Sequence, residues 1–260
     1  MVQSEQSLSP ATQRFLDRAA SVLSQCRSAA SCTGPGMSAE SGIPAIDETT
    51  RPAEGLTWED VTTLRGFKAT PEKVRHWYDQ RRQRLKQVSP NPGHYALTEL
   101  EHLLPELFVI TQNTDSLHRR AGTTGVLELR GNIWMDQCLS CDYEQSLDPS
   151  QSEWPSRCPH CGDWLRPAVV WFDEALPAET FRAALEAADR CEALLAIGSS
   201  GIARPAASLV SQAKASGAAV IEISPEPTPV SAFADLRLVG PAEAVLPELV
   251  GRLRNMQPVA

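Results

Sequence analysis

Between Leu107 and Asp115 the chain changes character within one residue. Leu107, Phe108, Val109 and Ile110 form an unbroken run of β-forming apolar side chains, and Thr111, Gln112, Asn113, Thr114 and Asp115 follow directly. An apolar run of that length without alternation fits a strand buried on both faces, as in a parallel sheet covered by helices. Ligands of open α/β sheets bind outside the carboxyl ends of the strands, so five polar side chains at that place are candidate ligand contacts. The stretch by itself fits equally well a solvated strand-to-helix loop with Asp115 as N-cap.

Other segments repeat the arrangement. Residues 11 to 27 space Phe15, Ala19, Val22, Leu23 and Cys26 as one face of an amphipathic helix. A weak strand of small residues, 28 to 33, runs into Gly34-Pro35-Gly36-Met37-Ser38-Ala39, which approximates GxGxxA. Such glycines let a backbone approach a phosphate at a helix N-terminus, although a plain glycine-rich turn has the same sequence. Further strands are expected at 126–129, 168–172, 193–197 and 219–223, with helices at 177–188 and 205–216. The alternation predicts an α/β fold, a Rossmann-like doubly wound parallel sheet. Glycines and small hydroxyl residues recur at the strand ends, at 34–38, 111–115, 198–201 and 224, and a dinucleotide suits that line.

Polar residues from 46 to 57 read as a long loop. Thr70-Pro71-Glu72 then opens a helix, with a capping hydroxyl, a proline in the first turn and an acid at the positive end of the dipole. Val74, Tyr78, Arg81, Leu85 and Val88 share one face of it, so Arg81 lies on the apolar stripe while Arg82 and Arg84 fall on the expected wet face. An inward guanidinium needs a partner, either a structural carboxylate, the commoner case, or an anionic ligand. Residues 94 to 104 form another helix leading into the strand at 107.

Four of the seven cysteines form Cys138-x2-Cys141 and Cys158-x2-Cys161. Two such knuckles supply the four thiolates of a closed structural zinc site. Cys26, Cys32 and Cys191 sit among small or apolar residues and read as core packing. The segment from Asn132 to Leu165 has six acidic side chains and one basic one, and the whole chain carries a net charge of −8, so a nucleic-acid surface is not expected. With 260 residues, 42% of them hydrophobic, the chain can bury a large core. No basic, apolar leader opens the sequence and no run of about 18 apolar residues occurs, which fits a cytoplasmic protein without a membrane span.

With these residues placed, the chain resembles the sirtuins, the NAD-dependent protein lysine deacylases, over nearly its whole length. The motif GAGxSxxSGIPDFR has its counterpart in residues 34 to 47, and TQNID with GLHxRAG in TQNTD and SLHRRAG. The paired CxxC motifs, RPxVVWFxE at Arg166 to Glu174, Gly-Ser-Ser after a strand and the Ile-Glu-Ile turn follow in the same order. The resemblance implies that Gly34, Gly36, Ser38, Glu40 and Ser41 surround the NAD pyrophosphate and ribose. Gln112, Asn113 and Asp115 would meet the nicotinamide side, and Gly198, Ser199, Ser200, Ser224 and Glu226 the adenosine side. Val169, Val170, Trp171 and Phe172 would carry the acyl-lysine of a protein or peptide. Tyr78-x-x-Arg81 matches the pair by which desuccinylases and demalonylases recognise a carboxylate-ended acyl chain, which turns the reading of Arg81 towards an anion site.

The resemblance makes position 130, Asn113 and Asp115 the catalytic positions, and the departures fall in that reaction centre. The family's histidine base in ELHG is replaced by Arg130, which has no acceptor with which to take a proton. Ala45-Ile46-Asp47 stands where the family has Asp-Phe-Arg, Thr114 replaces an Ile, Ala168 a frequent His and Asp173 a Gly. The sequence therefore reads as a sirtuin-type deacylase with an altered centre. The alternatives are an NAD-dependent ADP-ribosyltransferase or glycohydrolase, and a silent module that binds NAD or an anionic small ligand. The expected units are an NAD-binding domain of 11–46, 96–131 and 166–260, a cofactor loop and helical module of 47–95, and a zinc module of 132–165.

Overall fold

The structure, a computed structural model, describes residues 10–43, 52, 55–199 and 206–256. Its main sheet contains β1 (Ser28–Thr33), β2 (Glu106–Thr111), β3 (Val126–Glu128), β7 (Ala193–Ile197), β8 (Ala219–Ser224) and β9 (Leu236–Val239). All neighbours pair in parallel, in the order β3-β2-β1-β7-β8-β9. The poor strand 28–33 is thus central. Its small side chains suit that place because helices cover both faces: Ala29 joins one core and Ala30 and Cys32 the other. On the first face lie α1 (Pro10–Gln25), α5 (Pro92–Leu103) and α9 (Ala242–Met256), and on the second α7 (Ala178–Arg190) and α8 (Ala206–Ala215). The chain runs outward from β1 through β2 to β3, then returns to β7 on the other side. The resulting switch point lies between the ends of β1 and β7, where ligands of doubly wound sheets bind.

Two insertions pack together at the carboxyl edge. The first holds α2 (Trp58–Thr62), α3 (Leu64–Ala69) and α4 (Pro71–Leu85), and the short α6 (Leu117–Ala121) follows β2. The second is an antiparallel sheet of β5 (Glu144–Ser146), β4 (Gly131–Cys138) and β6 (Leu165–Val169). They share one core, and all six tryptophans of the chain lie in or against it.

Two expectations are corrected here. The strand expected at 168–172 is β6, which ends at Val169 and pairs antiparallel with β4 outside the main sheet. An isolated apolar run does not reveal which sheet it joins. Arg82, expected on the wet face of α4, is completely buried, whereas Arg84 is exposed as expected. A helix packed between two neighbours has two buried faces, and periodicity identifies only the apolar one.

Candidate active site

The glycine-rich turn leaves β1 and packs, backbone against backbone, on the turn that leaves β7. Gly34 N–H donates to the Ile197 carbonyl and Gly36 N–H to the Gly198 carbonyl, at 3.1 and 2.8 Å. A Cβ on Gly36 would lie 2.8 Å from Gly198 Cα, so only glycine admits this contact. Ser38 is buried behind it; its hydroxyl donates to Asp115 Oδ2 at 2.8 Å and accepts from Asn113 Nδ2 at 3.1 Å. Asn113 Nδ2 also reaches the Gly34 carbonyl at 3.0 Å. The ends of β1 and β2 are thereby joined side chain to side chain.

Asp115 serves both readings of its position. Its Oδ1 accepts from Leu117 N–H at the start of α6, and the residue also lines a cavity. Burial raises its carboxyl above the usual range, against the lowering effect of Leu117 N–H, Ser38 and Arg81. Ser116 beside it holds φ of 68°, the one non-glycine at positive φ among the described residues.

The cavity, about 310 Å3, brings together Ser38, Gln112, Asn113, Thr114, Asp115, Tyr78, Arg81, Arg130 and the run Val169 to Phe172. Leu85, on the same helical face as Tyr78 and Arg81, also lines it, as do Thr62 and Trp77, which no sequence signal marked. Tyr78 is buried; its hydroxyl accepts from Trp171 Nε1 and donates its single proton to the Val61 carbonyl, both at 2.8 Å, and burial pushes its pKa up to about 12. Trp171 in turn lies under the Arg166 guanidinium, 3.7 Å from its ring centre, and Arg166 pairs with Glu174. Arg81 and Arg130 have no hydrogen-bonded or ion-paired partner among the described residues. Their neighbours are the rings of Trp77 and Phe172, at 5.8 and 5.3 Å. Burial lowers both guanidinium pKa values, but a guanidinium remains charged at neutral pH. Next to Arg130, Gly131 has φ of 71°, and a Cβ there would come within 2.0 Å of the Ala168 carbonyl oxygen.

Other sequence-selected residues lie along the same edge without lining this cavity. Gly198, Ser199 and Ser224 end β7 and β8, with Gln112 Nε2 reaching Ser199 Oγ at 3.4 Å, while Glu40 and Glu226 are exposed. Ser41 Oγ is buried with no partner among the described residues, as expected of a cradle for a polar ligand. Ser200 and Ala45-Ile46-Asp47 lie outside the described residues. Ala168 and Asp173 do not line the cavity, which corrects the grouping of all the departures in the reaction centre. Asp173 instead accepts from Leu64 and Arg65 N–H and caps α3, and those bonds hold its carboxyl below the usual range.

The four cysteines converge at the tip of β4, with their Sγ atoms all within 4.8 Å of one another. Cys138 to Cys161 is 3.4 Å and Cys141 to Cys158 is 3.6 Å. Tetrahedral zinc–thiolate bonding implies sulfur separations of roughly 3.8 Å, so the set fits zinc. Ser140 and His160 N–H each donate to a cysteine sulfur, at 3.4 Å, and steady thiolate character. The metal would contribute structure only, because all four positions are taken by protein and none is left for substrate.

A parallel sheet with a glycine cradle at its switch point, a cavity beside it and a four-cysteine clip define a dinucleotide-binding enzyme of the Rossmann class with a zinc module. The chain belongs to the Sir2 family, the sirtuins: the family profile described as "Sir2 family" matches residues 34–205. It is 42% identical over 236 residues to NAD-dependent protein deacylase 2 of Pyrobaculum aerophilum, covering 91% of this chain and 95% of the relative. It is 41% identical over 229 residues to an NAD-dependent protein deacylase of Aquifex aeolicus, covering 86% and 94%. Among solved structures, a Sir2 homolog–NAD complex superposes with a TM-score of 0.85 at 35% identity, covering 92% of this chain and 94% of that one. Sir2Af2 bound to a myristoylated histone peptide gives a TM-score of 0.76 at 35% identity, covering 94% and 98%. No helix among the described residues is long and apolar enough to cross a membrane.

Proposed function

We propose that this protein is an NAD-dependent protein lysine deacylase that prefers acyl groups ending in a carboxylate and turns over slowly. The observation that carries the preference is Arg81, which faces the cavity with no ion-paired acid among the described residues, Asp115 acting on it only across the cavity. A half-buried guanidinium left unpaired is unfavourable unless an anion joins it. The hydroxyl proton of Tyr78 is committed to Val61, so the charged contact to the acyl end falls to Arg81 and Tyr78 shapes its wall. NAD would lie along the switch point, with its phosphates at Gly34, Gly36 and Ser38, its adenosine towards Ser199, Ser200 and Ser224, and its nicotinamide at Gln112, Asn113 and Asp115. The acyl-lysine would enter beside Val169 to Phe172.

In the sirtuin reaction the acyl oxygen displaces nicotinamide from the ribose, and a base then takes a ribose hydroxyl proton. Arg130 stands at the base's position and can only donate hydrogen bonds, so the second step slows while nicotinamide release persists. General-base catalysis contributes about a hundred- to ten-thousand-fold, which bounds the expected loss. Arg130→His should raise deacylation at least about tenfold. Arg81→Met should weaken succinyl-lysine peptide relative to acetyl-lysine peptide by about 1 to 3 kcal/mol. Formation of deacylated peptide checks the first, and nicotinamide release measured with each peptide checks the second. An equal effect of Arg81→Met on the two peptides would remove the acyl preference, and release that ignores peptide altogether would overturn the deacylase reading.

A further inference from the structure

About a quarter turn around α4 from its cavity-facing residues lie two more arginines, and both reach the carboxylate of Asp136, with Asp79 of the same helix beside them. Arg75 Nη1 donates to Asp136 Oδ2 at 2.7 Å and Arg82 Nη2 to Asp136 Oδ1 at 2.6 Å. The arginines are seven residues apart, two turns of helix, and neither they nor Asp136 are more than 2% exposed. Backbone acceptors of the zinc module complete the attachment. Arg82 Nε donates to the Ile133 carbonyl at 2.7 Å, and Arg75 Nη1 also meets the Leu165 carbonyl at 3.2 Å.

Asp136 and Leu165 belong to the frame of the metal site. Asp136 precedes Cys138 by two residues on β4, Leu165 pairs with Cys138 across β4 and β6, and the Leu165 side chain packs on Cys138 and Cys158. On the adjacent face α4 presents Trp77, Tyr78, Arg81 and Leu85 to the cavity. One carboxylate tied to two points along a helix fixes both its roll and its height. With side chains reaching about 5 to 6 Å from the axis, a roll of about 10° would displace the Arg81 head group by about 1 Å. Misplacement on that scale is enough to cost about a hundredfold in a positioned reaction.

We propose that Asp136 is a positioning residue: it transmits the state of the four-cysteine site to α4, so that binding of the acyl group, and not of NAD, depends on zinc. The functional half of this rests on the reading of Arg81 as the acyl contact. The helix half stands on the Asp136 contacts alone. Zinc would thus set the acyl end of the cleft from outside it, without touching substrate.

The test uses the full-length, zinc-loaded protein and Asp136→Asn, which keeps the shape but cannot neutralise two guanidiniums. Zinc content should remain stoichiometric and ADP-ribose affinity should stay within about twofold, while KM for succinyl-lysine peptide rises about tenfold or more. Hydrogen exchange should show α4 amides losing protection while those of β1 and β7 keep theirs. Chelating the wild type should reproduce the same split, and chelating Asp136→Asn should add little to it. Should Asp136→Asn fail to fold, Arg75→Met removes one anchor and leaves Arg82 in place, with Arg75→Lys expected to recover part of the loss. Unchanged α4 protection, or equal weakening of ADP-ribose and peptide, would overturn the proposal. Loosened α4 with an unmoved KM would overturn its functional half together with the acyl role of Arg81, and leave the helix attachment standing.

Discussion

Arg81 and Arg82 are adjacent on one helix and live in opposite electrostatic worlds. Arg82 is fully buried, yet its guanidinium meets Asp79, Asp136 and the Ile133 carbonyl. Arg81 is half-buried and forms no ion pair among the described residues; it faces an indole and the open cavity, with Asp115 acting on it from a distance. A step of about 100° around the axis carries the chain from a finished ion network to an unfinished one. The difference teaches where structure ends and function begins in this fold: the network between α4 and β4 gives each guanidinium a carboxylate, with only Arg75 Nη2 left without a hydrogen-bond partner among the described residues, and the cavity is left for a ligand to complete.

The comparison can be broken most forcefully from the closed side. Asp136→Leu leaves two buried guanidiniums with only the partly exposed Asp79 to share, and stability should fall by about 3 kcal/mol or more, read as a lowered urea midpoint. A loss below about 1 kcal/mol would mean that the network is no more finished than the cavity.

A buried pair of neutral histidines gives a middle case. The rings of His94 and His118 lie 4.9 Å apart, tilted by 54°, and His118 Nε2 lies 3.0 Å from Thr33 Oγ1, which donates to Thr111 Oγ1. Burial holds their pKa values at about 4 and about 3, against about 6.5 for an unfolded histidine. Between those values the unfolded chain binds protons that the folded chain refuses. Their contribution is therefore complete above about pH 6.5 and is lost as pH falls towards 4, by up to about 1.4 kcal/mol per histidine per pH unit. Denaturation midpoints at pH 7 and pH 5 measure it, and a His118→Asn protein should show the shallower slope. An unchanged slope would mean that the histidines are not held neutral.

The smallest effect is expected on the open side. Arg81→Met should change stability by less than about 0.5 kcal/mol, because no ion pair is broken and the thioether fills the same wall. A large destabilisation there would return Arg81 to a structural role and erase its contrast with Arg82.

Much of this arrangement was legible beforehand, for particular reasons. The apolar run 107–110 and its polar successor identified β2 and the cavity edge, because burial on both faces and ligand contact each demand a residue type. The CxxC pairs identified the metal site, since four thiolates at fixed spacing have little other use. Arg82 was misplaced because its partner Asp136 lies 54 residues away and periodicity reports only a helix's apolar face. The strand at 168–172 was assigned to the wrong sheet because strand pairing is non-local. Asp173 resembled a change in the reaction centre, and its cap on α3 shows only when the two segments are brought together.

The sequence by itself determined the doubly wound sheet, the glycine cradle at 34–36, the four zinc thiolates and the arginine at position 130, because each depends on residue identity within a few positions. Only the tertiary structure decided which arginine is satisfied and which is open, that the hydroxyl of Tyr78 is committed to Val61, and that the metal module holds one face of the helix whose adjacent face lines the cavity. The reason is physical: a charge is stabilised or left wanting by whatever lies within a few ångströms of it, and in a folded chain those neighbours come from segments far apart in sequence.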